Sequence, residues 1–495
     1  MAENWATSES GHDLHLELTG TGGLRAGLMD ALRDAIRVGR LRSGIRLPSS
    51  RALAADLGIA RNTVADAYAE LTAEGWLTAR QGSGTRVAAR AAVSGAAAGR
   101  PPRPGAPRLT HDLRPGRPDA AGFPRADWIA ATRRALHAAP AEAFGPGDPA
   151  GRIELRRALA GYLARARGVH SDPDRIVVCS GAAQALQLLA AVRPGTFAVE
   201  SRGLPHHRRL LARAGIRTVP LPVDAGGADP AGLSGSAADA VLLTPAHQFP
   251  TGGALLPERR AAVIDWARAG GGLVLEDDYD GEFRYDRQPV GALQGLDPGR
   301  VAYLGSASKS LSPGLRLGWM VLPPPLVPEV LAAKGSWEPT VSMLDQLVFA
   351  ELLESGGYDR QIRRMRRGYR ARRDQLTAAL GARLPQLEVT GIAAGLHAVL
   401  ELPPGTEELV LREGERAGLG LTGLGWFRHP EATCPERDGV VVGYGTPPDH
   451  GFTGAVTALC ETVARGLSGP RDPERPERPE QRKNQVAQVN QVTQT

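Results

Sequence analysis

Leu24, Leu28, Leu32 and Ile36 recur at helical spacing, which predicts an amphipathic helix over 24–38. Gly39, Gly44 and Pro48 end it. Ser49 and Ser50 then offer hydroxyl caps for a short helix over 51–57. Gly58 supplies a turn, and a further helix follows over 61–74. Two helices joined by a tight Gly-containing turn predict a helix-turn-helix. Segments 76–80 and 85–87 flank the run QGSG at 81–84, which predicts a hairpin. Tyr68 and Leu71 fall on the inner face of the second helix and are expected in its core.

The pattern lapses over 89–108, where Ala, Gly, Pro and Arg predominate and a flexible linker is expected. Beyond it, continuous apolar runs at 175–180, 197–200, 240–244, 272–276 and 301–305 alternate with helical stretches. Uninterrupted apolar strands separated by helices predict a mainly parallel sheet covered on both faces. After about residue 326 long helices take over, followed by apolar runs at 396–402 and 439–444, the mark of a smaller α+β lobe. Residues 469–495 are polar and punctuated by proline, too poor in apolar surface to offset ordering entropy, and are expected to be disordered. The predicted architecture is therefore multidomain: an α+β winged helix-turn-helix head over 13–88, the linker 89–108, an α/β body over 109–468 and a tail.

Composition narrows the setting. No run of about 18 apolar residues occurs, so no membrane span is expected. The N-terminal residues carry no secretory pattern, and the three cysteines match neither a disulfide framework nor a metal spacing. These features favour the cytoplasm. The net charge of +6 says little, but its distribution says more: residues 37–62 hold six arginines against one acid, Asp56. Basicity is concentrated where the helix-turn-helix would meet duplex DNA. The basic run 361–374 reads as a solvated helix face.

The chain has only three lysines, Lys309, Lys334 and Lys483. Lys309 lies in GSASKSLSPGLRLG at 305–318, among small residues and seven positions before Arg316. An amine whose pKa is lowered can form a Schiff base, which arginine cannot, and pyridoxal 5'-phosphate (PLP) is the usual aldehyde partner. PLP also needs an anion for its ring nitrogen, a phosphate cradle and a donor to its ring oxygen. Asp277, closing a predicted strand, suits the first. Gly181 and Ala182, at a strand-to-helix turn, suit the second, with Arg316, Ser306 and Ser308 adding donors. Tyr279 suits the third.

The head, through LPSSR at 47–51, LGIARNTV at 57–64, EGWL at 74–77 and GSGT at 82–85, resembles the GntR-type winged helix. The resemblance implies that Arg51, Arg61, Asn62 and Thr63 meet DNA, and that Gln81 and Gly82 carry the wing into the minor groove. The body resembles the aspartate-aminotransferase-like fold-type I PLP enzymes. With TPAHQFPTG at 244–252, EDDYDGEFRY at 276–285 and GDPAG at 147–151, the whole is similar to the MocR/GabR transcriptional regulators. By that resemblance His247 or Gln248 lies beside the cofactor ring, Lys309 is the catalytic-type lysine, and a head-to-tail homodimer binds operator DNA under control of PLP or a PLP-amine adduct.

Three departures bear on activity. Leu204 stands where related aminotransferases stack an aromatic ring on the cofactor. Pro146 stands where a tyrosine usually serves the partner's phosphate. The position of the carboxylate-clamping arginine falls near Val441, and neither Arg428 nor Arg437 is assigned to that task. A regulator with weak or absent transamination is expected. A working aminotransferase with a DNA-binding head is the alternative, and a module sensing another amine is a third.

Overall fold

The computed structural model describes residues 5–7, 13–15, 23–80, 84–89, 109–145, 147–285, 290–335 and 341–468. The linker over 90–108, the tail over 469–495, Pro146, Gln81 and Gly82 lie outside the described residues. The chain divides into two compact units, 1–106 and 107–495.

In the first unit, α1 (Leu24–Arg37), α2 (Ser50–Leu57) and α3 (Arg61–Ala73) precede an antiparallel hairpin of β1 (Leu77–Arg80) and β2 (Gly84–Val87). Ser49 caps α2 by accepting from the Ala52 amide at 3.1 Å, and Gly58 ends it in the left-handed region at φ 65°. Those two residues fix the turn angle between the helices. Leu28, Leu32, Leu53, Val64, Tyr68 and Leu71 interlock as the core, and the Tyr68 hydroxyl donates to the Pro48 carbonyl at 3.1 Å.

The second unit is built on a seven-stranded sheet. Its strands are β3 (Ile176–Cys179), β4 (Thr196–Glu200), β5 (Arg217–Leu221), β6 (Ala240–Leu243), β7 (Leu273–Asp277), β8 (Val301–Ser306) and β9 (Gly318–Val321). They lie in the order β3-β9-β8-β7-β6-β4-β5. Only β9 runs against the others, so the sheet is mainly parallel as expected. The helices α4 (Ala182–Val192), α5 (Pro205–Arg213) and α6 (Pro257–Gly270) follow β3, β4 and β6. Separate apolar clusters lie against the two faces, which is why β3, β6 and β7 are buried at every position. A smaller antiparallel sheet joins β10 (Val389–Thr390), β11 (His397–Glu401) and β12 (Gly439–Gly443).

Candidate functional site

The C-terminal ends of β3, β4, β6, β7 and β8 open on one cavity of about 680 Å³, where an open parallel sheet places its ligand contacts. Lys309, Asp277, Tyr279, Gly181, Ala182, Ser306, Ser308 and Arg316 all line it. Eight residues dispersed from 181 to 316 thus meet because their strands end on the same side of the sheet.

Lys309 follows β8, and its Nζ donates to the Gly116 carbonyl. Burial lowers its pKa; Asp280 and Asp277 oppose that effect and Arg117 adds to it. An amine so placed reaches its neutral, nucleophilic form more readily than a solvated lysine. Lys334 differs. It is 3% exposed, and its Nζ donates to the Pro149 and Val178 carbonyls at 2.5 and 2.8 Å, the role of a structural clip.

The acidic run after β7 has three separate fates. Asp277 faces the cavity, and burial, with Asp278 beside it, raises its pKa to about 7. His207 Nδ1 lies 3.9 Å from its Oδ2, and burial lowers that imidazole to about 3. Asp278 turns away and pairs with Arg167 at 2.7 and 3.1 Å, both side chains almost fully buried, and it also accepts from the Tyr303 hydroxyl at 2.7 Å. Asp280 meets His247 Nδ1 at 2.9 Å.

At the far side of the cavity α4 begins at Gly181, whose φ of 108° is one that glycine favours. No side chain caps α4, so its first amides are available to an anion. A Cβ at Gly181 would meet no atom within 4 Å, so the space before these amides is open. Arg316 lies on the same cavity at φ 50°, the only non-glycine residue with positive φ among the described residues. That strained backbone is retained at a functional wall.

His247 and Gln248 are placed behind the wall, not on it. Gln248 Nε2 donates to Glu200, the Arg202 carbonyl and the Phe249 carbonyl at 2.7–3.1 Å, holding two loops together. His247 is 2% exposed and contacts Tyr279 Oη through Nδ1 at 3.0 Å. The ring-side expectation for both is therefore replaced by a supporting position. His207, Phe249, Trp426 and Phe427 do line the cavity, and the sequence reading passed over them. His207 had one signal, a histidine in the first turn of the helix after Leu204-Pro205, within reach of a strand-end carboxylate.

One wall is apolar. Phe249, Phe427, Leu424, Val399 and Val441 pack together, with Leu204, Tyr279 and Trp426 against them. Leu204 lines the cavity and Val441 is buried behind it. Arg428 donates to the Ala432 and Cys434 carbonyls and Arg437 pairs with Glu401, so both are occupied elsewhere.

In the head, Arg51 lies on α2, and Arg61, Asn62 and Thr63 form the first turn of α3. Arg51, Arg61 and Asn62 are exposed, and neither arginine has an ion-pair partner among the described residues. Ala60 gives α3 no side-chain cap, and the Thr63 amide turns back to the Ala60 carbonyl at 3.0 Å.

Comparison with known proteins agrees with both halves. Residues 24–87 match the model of bacterial regulatory proteins of the gntR family, and residues 117–419 match aminotransferase class I and II. The HTH-type pyridoxine biosynthesis transcriptional regulator PdxR of Corynebacterium glutamicum is 33% identical over 447 residues, covering 89% of this chain and 96% of that protein. The probable rhizopine catabolism regulatory protein MocR of Rhizobium meliloti is 32% identical, covering 84% and 89%. The chain belongs to the MocR-type transcriptional regulators. The body of this MocR-type chain also has the fold of Pyrococcus horikoshii kynurenine aminotransferase, solved with PMP, at a TM-score of 0.66 and 24% identity over 73% of this chain and 92% of that one.

The aminotransferase fold implies PLP, and the cavity of this MocR-type regulator fits it. It offers a lysine of lowered pKa and a buried carboxylate of raised pKa. It also offers, at Gly181, an uncapped helix start with open space before it. Among the described residues, no helix is long and apolar enough to cross a membrane.

Proposed function

We propose that this regulator binds PLP at Lys309 and that PLP, alone or joined to an amine, changes how its head binds operator DNA. The observation that carries the reading is the single cavity that brings Lys309, Asp277, Gly181 and Arg316 together. When bound, PLP supplies an aldehyde for an amine and an electron-withdrawing ring. Lys309 presents the amine. Asp277 offers its carboxylate to a ring N–H, an exchange that would lower its raised pKa. The first amides of α4 and the Arg316 guanidinium hold a phosphate, with Ser306 and Ser308 beside them. Tyr279 donates to a ring oxygen.

The wall of Leu204, Phe249 and Phe427 is apolar, and of the arginines on the cavity Arg114 and Arg117 are held by Asp112 and Arg208 by backbone carbonyls. A donor carboxylate would therefore compete for its partner and lose the pose that proton shuttling by Lys309 requires. Weak or absent transamination follows. The name of the relative concerned with pyridoxine biosynthesis supports PLP itself as effector. In the head, Arg51, Arg61, Asn62 and Thr63 are assigned to duplex DNA. A second copy of this chain is the partner of the body. Exposed Ile129 and Leu136 on the helix Arg125–Ala138, and exposed Phe144 after it, support that assignment.

Borohydride reduction of the PLP-loaded protein, followed by peptide mapping, tests the cofactor assignment. The label is expected on Lys309 alone; a label on Lys334 would contradict it.

A further inference from the structure

Behind Tyr279 stands a buried pair that the cofactor reading leaves without a task. His247, Asp280 and His397 are 2%, 2% and 3% exposed. His247 Nδ1 lies 2.9 Å from Asp280 Oδ2 and 3.0 Å from Tyr279 Oη. Two atoms carrying only lone pairs do not settle 2.9 Å apart, so with Asp280 ionised the Nδ1 proton lies between them and Nδ1–H donates to Asp280. His247 Nε2 is then the bare nitrogen, and it has no hydrogen-bond partner. The backbone makes room for this arrangement. A Cβ at Gly395 would fall 2.2 Å from His247 Cε1 and 2.5 Å from Asp280 Oδ2. His397 lies against the other side of the imidazole, ring centres 5.0 Å apart, and is anchored through Nε2 to the Pro250 carbonyl at 3.0 Å.

The consequence falls on the Tyr279 hydroxyl. Burial raises the pKa of the phenol and the nearby Asp280 carboxylate adds to that effect, so Asp280 competes for the phenolic proton. A carboxylate already engaged by His247 Nδ1–H competes less well. The phenol oxygen meanwhile faces a donor nitrogen, which leaves its own proton to point into the cavity. We propose that Asp280 and His247 are positioning residues that turn Tyr279 into a donor toward the cofactor's ring oxygen and thereby set the pH at which the Lys309-bound cofactor loses its proton. This rests on PLP binding at Lys309. Neither residue lines the cavity, so His247 acts through Tyr279, while Asp280 also bears on the Lys309 amine through its charge.

Other charged groups face the same phenol and amine: Asp277 from β7, Glu200 from β4, Arg117 beside Gly116, His207 from α5 and His397 from β11. They are retained in every variant below, so a change in midpoint reports the His247–Asp280 pair. Removing the Nδ1 donor frees Asp280 to take the phenolic proton, which turns the hydroxyl away just as deleting it would. His247→Leu should therefore resemble Tyr279→Phe.

The test is a pH titration of the near-visible absorption of full-length, PLP-loaded protein. A hydrogen bond to the deprotonated form favours that form, so its loss should raise the midpoint by roughly one pH unit in His247→Leu and Tyr279→Phe. His247→Asn, which keeps an N–H donor near the place of Nδ1, should stay close to wild type. That rescue separates positioning from mere packing. The double variant His247→Leu with Tyr279→Phe should match Tyr279→Phe alone. An unmoved midpoint in His247→Leu, or a double variant that shifts by the sum of the singles, would overturn the proposal. Absence of any near-visible band in the wild type would instead remove PLP binding itself, and this proposal with it.

Discussion

At the scale of single residues, neighbours in sequence part company in space. Asp277, Asp278 and Asp280 were legible only as an acidic run at a strand end, with the cavity role assigned to Asp277. The alternation of a strand turning into a loop sends Asp277 to the cavity and Asp278 to Arg167, 111 residues earlier in the chain. No local pattern announces that partner, because the pairing depends on how helix and sheet pack. Arg167→Leu would leave Asp278 buried without its cation, and a loss of about 3–5 kcal/mol in unfolding free energy is expected by chemical denaturation. Asp277 is expected to behave in the opposite sense. Its carboxyl rises from an ordinary 3.8 to about 7 in the folded protein. A group raised on folding adds stability that is fully present below its unfolded pKa and is lost as pH rises through its folded one. In cofactor-free protein, the thermal midpoint of wild type should therefore gain on that of Asp277→Asn as pH falls from 7 to 5. A constant difference across that range would count against the raised carboxyl.

At the scale of elements, the hydrophobic pattern located helices and buried strands well because burial on both faces writes continuous apolar runs. It missed two strands of the large sheet. β5 is an edge strand carrying Pro220 and several half-buried positions, so it lacks such a run. β9 is a four-residue buried strand running against its neighbours, and it follows the Lys309 loop directly with no helix between to mark it as a separate strand. Among the helices, α3 carries the prediction that matters for DNA. It begins with exposed Arg61 and Asn62, and no side chain caps it. If Arg61 reads a base edge, Arg61→Ala should weaken operator binding by about 1–3 kcal/mol and relax specificity at one position. If it meets phosphate, all sequences should weaken alike and the salt dependence should flatten. Unchanged binding in Arg51→Ala with Arg61→Ala, measured by fluorescence anisotropy, would remove both from the DNA surface.

At the scale of the molecule, a DNA-binding head and an aminotransferase body occur in one chain as two compact units. Lys309, Asp277 and the Gly181 turn were legible as residues of one cavity because an open parallel sheet gathers its ligand contacts at strand ends. The apolar wall was not, since it arises from contacts between the large sheet's loops and the smaller lobe, and the Asp280–His247 pair was not, since it joins the loops after two neighbouring strands. A ligand in the body can alter DNA binding only if it interacts differently with two states of the protein. The most direct measurement is operator affinity, by anisotropy on a labelled duplex from upstream of the chain's own reading frame. It compares PLP-loaded wild type, cofactor-free wild type and Lys309→Ala with PLP added. The account predicts that loaded and cofactor-free wild type differ, and that Lys309→Ala keeps the cofactor-free affinity whether or not PLP is present. Equal affinity in all three forms, together with steady turnover of an amino donor by the wild type, would contradict it.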